Sequence, residues 1–139
     1  MRGAVKILLL AAAIGVSPGS PGFAMSPSPE PTIVLVHGAF AESASWNRVI
    51  DKLRRDGYKA VAVANPLRGV ADDGAAVASY LHSVPGPVVL VGHSYGGPVI
   101  TEAANDSPNV KALVYVAAFA PDTGESSTSL SSKFPGSTL

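Results

Sequence analysis

Apolar positions along this chain follow two alternating rhythms. Continuous runs rich in β-branched residues recur at Thr32 to Val36, Lys59 to Ala64, Val88 to Val91 and Val110 to Ala117. Each run suits a strand, and Thr32 to Val36 suits a central parallel strand covered on both faces. Between the runs, apolar side chains return every three to four residues. Trp46, Val49, Ile50 and Leu53 form one stripe, with Arg48, Asp51, Lys52 and Arg55 on the other side. That spacing predicts a helix to about Asp56, capped by Ser43 or Ser45 and stopped at Gly57. Val77, Tyr80, Leu81 and Val84 repeat the pattern after Asp72 and Asp73, acidic residues that favour a helix start. Pro85-Gly86-Pro87 breaks it. A third helix, with Pro98 in its first turn, ends near Asn105. Strand and helix alternate through four strands, which argues for an α/β fold with a parallel sheet, right-handed crossovers and helices on both faces.

The two ends depart from this rhythm. Arg2 and Lys6 precede a ten-residue apolar stretch, Ile7 to Val16, too short for a membrane span. Ser17-Pro18-Gly19-Ser20-Pro21 breaks it, and Gly22-Phe23-Ala24 places small residues for cleavage after Ala24. Residues 1–24 therefore read as a signal peptide, 25–31 as a linker and 32–121 as the folded domain. The expected location is secreted or periplasmic, with no membrane attachment after cleavage. The alternative is translation from Met25 and a cytoplasmic protein. From Pro121 onward Ser, Thr and Gly dominate without a period, and 122–139 is expected to be a flexible tail.

Composition narrows the function classes. A length of 139 residues fits one domain, and 47% hydrophobic against 14% charged residues fits a packed core. Net charge is zero, so no electrostatic footprint for nucleic acid exists. There is no cysteine, which excludes disulfides and thiolate chemistry. The three histidines, His37, His82 and His93, lack metal-ligand spacing, and no Walker or G-x-G-x-x-G pattern occurs. No metal and no cofactor are expected.

The candidate chemistry lies at Gly92-His93-Ser94-Tyr95-Gly96-Gly97, directly after the third apolar run. G-x-S-x-G between a strand and a helix is a nucleophile elbow. So sharp a turn strains the corner residue, and glycines beside it remove colliding Cβ atoms. Ser94 would stand clear of the sheet at a helix N-terminus, where backbone N–H groups converge. A serine hydroxyl needs a base, commonly a histidine held by a carboxylate. No histidine follows Ser94.

Together, these residues resemble the α/β-hydrolase superfamily, in particular the branch of methylesterases, hydroxynitrile lyases and small bacterial esterase-like proteins. The likeness is carried by the strand and His37-Gly38-Ala39-Phe40, the Trp46 helix, the elbow, and Ala117-Ala118-Phe119-Ala120-Pro121-Asp122. It implies Ser94 as nucleophile and the backbone N–H groups of Ala39 and Tyr95 as oxyanion donors, with Phe40 a neighbouring candidate. His37, Gly38, Gly92, His93, Gly96 and Gly97 would support the motif. The implied reaction is cofactor-free hydrolysis of a small carboxylic ester. The resemblance implies a domain about twice as long as the one read here. The family's catalytic acid and histidine lie on loops after later strands, so the resemblance implies an N-terminal half with little activity of its own. Asp122 would begin the cap of such enzymes, and in a minority of the superfamily that position holds the acid.

Other readings stand beside this one. The chain could be a non-catalytic half-domain that assembles with another chain, or associates with itself, through an exposed sheet edge. The same scaffold also serves hydroxynitrile lyases and cofactor-free perhydrolases. His37 is expected to order its loop, His93 to pack under the elbow and His82 to lie on a helix surface. Trp46 belongs to the core or the pocket edge. Arg54-Arg55 and Asp72-Asp73 read as solvated helix ends.

Overall fold

Four parallel strands build the molecule in the computed structural model, which describes residues 29–133 and 136. They are β1 (Thr32–Val36), β2 (Lys59–Val63), β3 (Val88–His93) and β4 (Val110–Val116). The helices are α1 (Asn47–Arg55), α2 (Val70–Leu81), α3 (Gly96–Asn105) and α4 (Ser127–Ser132), with a 3-10 turn at Ser43–Trp46 before α1. The spatial order is β2-β1-β3-β4. The chain moves outward from β1 to β2, then crosses back over β1 to β3. The ends of β1 and β3 therefore meet at a topological switch point, where parallel α/β sheets open a crevice.

Strand alternation divides the core in two. Val34, Val36, Val88 and Leu90 point toward α2 and α3, where Val77, Leu81, Val99, Ile100 and Ala103 close the larger cluster. Leu35, Ala60 and Val91 point the other way, onto Trp46 and Ile50. Helices thus cover both faces. The second face is covered less completely: Val114 and Val116 of β4 remain 42% and 39% exposed.

Several local expectations change. Neither Ser43 nor Ser45 caps a helix. Ser43 donates its hydroxyl to Val63 O and Ser45 to Glu42 O. Gly57 does stop α1, at φ 95°. Its N–H reaches Arg54 O and that of Tyr58 reaches Leu53 O, a Schellman closure. Arg54 is more than a solvated end, because its guanidinium donates to Ala60 O on β2. Asp73 is not solvated at all; it is fully buried. The C-terminal stretch is not structureless. Ser126 and Ser129 form a reciprocal capping box that starts α4, although α4 buries none of its residues. A capping box needs no hydrophobic period, so the pattern of apolar residues gave no sign of it. Residues 1–24, read as a signal peptide, lie outside the described residues.

Candidate active site

Ser94 sits between β3 and α3 at φ 52°, in the left-handed region, with an exposed side chain. Two backbone bonds hold it there. Its N–H donates to Val116 O (3.1 Å), and its carbonyl accepts from Gly97 N (2.9 Å). The glycines around it are close-approach positions. A Cβ on Gly92 would collide with the Gly96 backbone, and one on Gly96 would stand 2.7 Å from Val36 O. Contacts this short leave no room for any side chain, so the elbow is pressed directly onto the end of β1.

That packing brings the Gly38 loop to Ser94. A Cβ on Gly38 would lie 3.0 Å from Ser94 Cβ and 3.1 Å from His93 Nδ1. His37 orders the same loop from within. It is buried, and its Nε2 faces the Asn65 backbone N–H (3.2 Å). An amide N–H only donates, so Nε2 accepts and the proton lies on Nδ1, which donates to Gly38 O (2.9 Å). Asn65 Nδ2 returns a bond to His37 O. Both imidazole nitrogens of His37 are thus occupied.

Neither of the other imidazoles hydrogen-bonds the hydroxyl. His93 packs edge-on against Trp46, with ring centroids 6.3 Å apart. His82 lies on the surface and bonds Asp106 O (2.8 Å). Ala39 is half-buried beside Gly38, while the Phe40 side chain is fully exposed. Phe40 lines a hollow with Ala39, Ala41 and Glu42, not the pocket at Ser94. That pocket, about 390 Å³, is bounded by Ser94, Tyr95, Pro98, Ala117, Ala118 and Phe119. Ala117, at φ 44°, is a second strained residue on its rim. Trp46 is a core residue rather than part of this wall.

Tyr95 also lines a neighbouring cavity of about 660 Å³, between α3 and the segment from Pro121 to Ser127. Asp122 lies there, not at Ser94. Its carboxylate accepts from Thr123 N within its own turn. Glu125 beside it has its carboxyl held below the ordinary range by a hydrogen bond from the Lys133 ammonium. Among the described residues, no group of three or more His, Cys, Asp or Glu could hold a metal ion.

The residue missed from sequence is Asp73. Its Oδ2 accepts the Tyr95 hydroxyl (2.6 Å), and its Oδ1 accepts Arg68 N (2.9 Å). Burial of the phenol, then its bond to Asp73 and that residue's charge, push the Tyr95 pKa up to about 12. A signal was available. Asp73, Val77 and Leu81 are spaced by four and share the buried face of α2.

Fold and elbow together define a parallel α/β protein with a serine exposed at its switch point. Residues 33–137 match the alpha/beta hydrolase family, and the chain belongs to it. It is 32% identical to a carbendazim hydrolyzing esterase of Nocardioides sp. (strain SG-4G), over 67% of this chain and 44% of that protein. It is 31% identical to methylesterase 2 of Arabidopsis thaliana, over 75% of this chain and 45% of that protein. An extracellular α/β-hydrolase from a Paenibacillus species superposes with a TM-score of 0.62 at 27% identity, covering 76% of this chain and 47% of that structure. The chain thus spans less than half the length of these relatives. The relatives support an esterase-type hydrolase.

Proposed function

We propose that this chain carries the nucleophile and oxyanion donors of a serine hydrolase acting on small carboxylic esters. The observation that carries the reading is Ser94, exposed at φ 52° with the Gly38 loop against its Cβ. The Ser94 oxygen would bond to the ester carbonyl carbon while its proton passes to a base. The Ala39 and Tyr95 N–H groups would hold the negative oxygen, each such donor contributing about 3–4 kcal/mol. Collapse then breaks the bond to the alcohol, which leaves with a proton. A hydroxyl attacking an ester needs donors and a base, and no cofactor enters this scheme.

None of the three imidazoles hydrogen-bonds the Ser94 hydroxyl, so acylation by this chain alone is slow and deacylation slower. Incubation with p-nitrophenyl acetate is expected to leave one acetyl group on Ser94, detected by mass spectrometry and absent in Ser94→Ala. No adduct at Ser94 sinks the nucleophile assignment. Rapid, repeated turnover dependent on Ser94 refutes the view that the base lies outside this chain.

A second reading is favoured by β4. Its outer edge pairs with no strand among the described residues, and Val114 and Val116 are exposed beside it. Such an edge recruits a further strand from another polypeptide, including a second copy. Size-exclusion chromatography checks this. Association that Val114→Lys abolishes supports the reading, and a clean monomer argues against it.

A further inference from the structure

Asp73 is a carboxylate with no solvent exposure, in a helix whose other buried side chains are apolar. A buried charge is costly unless donors satisfy it. Here two donors do, and they come from different parts of the chain. Arg68 N belongs to the loop before α2, where Leu67 and Gly69 both adopt positive φ (58° and 139°). The Tyr95 hydroxyl belongs to the residue after Ser94. Asp73 is itself anchored, since its N–H donates to Gly69 O (2.9 Å). The ring of Tyr95 is therefore pinned at its far end to a rigid point on α2.

Tyr95 has two parts with two tasks. Its backbone N–H is the donor that the proposed reaction aims at the oxyanion. Among the described residues, that N–H makes no backbone hydrogen bond outside the regular elements. The Ser94 carbonyl shares one planar peptide with that N–H, and its bond from Gly97 N (2.9 Å) holds the plane from the backbone side. Around Tyr95 itself, the additional constraint is the side chain. We propose that Asp73 is a positioning residue: by holding the Tyr95 hydroxyl it braces, together with the Gly97 N–H to Ser94 O bond, the Tyr95 amide at the Ser94 pocket. This rests on the hydrolase reading only for its chemical consequence, because the mechanical coupling stands without it.

Three variants separate the possibilities. Tyr95→Phe removes the hydroxyl and keeps the ring. Asp73→Leu keeps the branched shape, with more bulk, and removes both acceptors. Asp73→Asn keeps the connection, because its carbonyl can accept Arg68 N while its NH2 donates to the Tyr95 oxygen. The direct measurement is the ¹H–¹⁵N spectrum of the whole chain. In Tyr95→Phe and Asp73→Leu the amide resonance of position 95 is expected to move and broaden, while those of Val99 to Ala103 stay in place. Asp73→Asn is expected to return it to its original position.

The chemical measurement is acetylation of Ser94. The saturating rate is expected to fall about tenfold in Tyr95→Phe and Asp73→Leu, since about 1.4 kcal/mol of transition-state stabilisation equals one decade. The half-saturating concentration should stay unchanged, and Asp73→Asn should recover most of the rate. An unmoved amide at position 95 in Tyr95→Phe overturns the proposal, as does a rate loss that Asp73→Asn fails to rescue. If Asp73→Leu does not fold, Tyr95→Phe and Asp73→Asn decide the matter. If the unaltered chain gives no Ser94 adduct, the hydrolase reading fails, and the amide spectra still decide whether Asp73 positions Tyr95.

Discussion

At the scale of single residues, glycine serves two distinct ends in this chain. Gly96 has backbone within 2.7 Å of where a Cβ would stand, whereas Gly57 has nothing near it and a φ of 95°. Gly96→Ala must push β1 away from the elbow and is expected to destabilise by about 1–3 kcal/mol. Gly57→Ala meets no atom and suffers backbone strain alone, about 1–2 kcal/mol. Urea unfolding reads both, and only Gly96→Ala should also disturb the surroundings of Ser94. Tyr95 gives a pH prediction. Its pKa is raised in the folded state from 10.0 to about 12. The proton is thus held more tightly in the folded chain, and the contribution is complete below pH 10. It is lost as pH rises from 10 to about 12. Tyr95→Phe is expected to flatten this part of the stability curve, measured by urea midpoints across that range.

Elements in this fold are joined by side chains that cap one of them while touching another. Asn109, just before β4, donates to Leu81 O (2.9 Å) and Val84 O (3.2 Å) at the end of α2. Leu81 O also accepts from Val84 N (3.0 Å), so Asn109 ties together the helix end and the turn that follows it. Asn109→Ala is expected to lower stability by about 1–3 kcal/mol. Thermal unfolding, compared with an exposed control such as Lys111→Ala, checks it. The four strands, α1 and α2 were legible because their apolar periods are uninterrupted. Val88 to Val91 and the stripe from Trp46 to Leu53 are instances. The caps were less legible, since Ser43 and Ser45 fit an N-cap by type but donate to carbonyls instead. At the site, the elbow and the Gly38 loop could be read from local spacing. The Asp73–Tyr95 bond could not, because it joins residues 22 positions apart. Only the place of Asp73 on an apolar stripe hinted at it.

For the molecule as a whole, the two sheet faces are not equal. One face carries α2 and α3, and the other carries α1 with the 3-10 turn over only part of its width. Among the described residues, β1 and β3 have partners on either side, whereas β4 pairs only with β3. Local opening is easiest where few buried contacts and few neighbours oppose it. Deuterium uptake under native conditions should therefore run through β4 well before β1 and β3. Equal uptake in all of the strands would mean that the sheet opens only as one unit. If the gradient is present, the strand that accepts the Ser94 N–H is also the first to let go. The serine corner then loosens from its outer side while the hydrophobic centre remains intact.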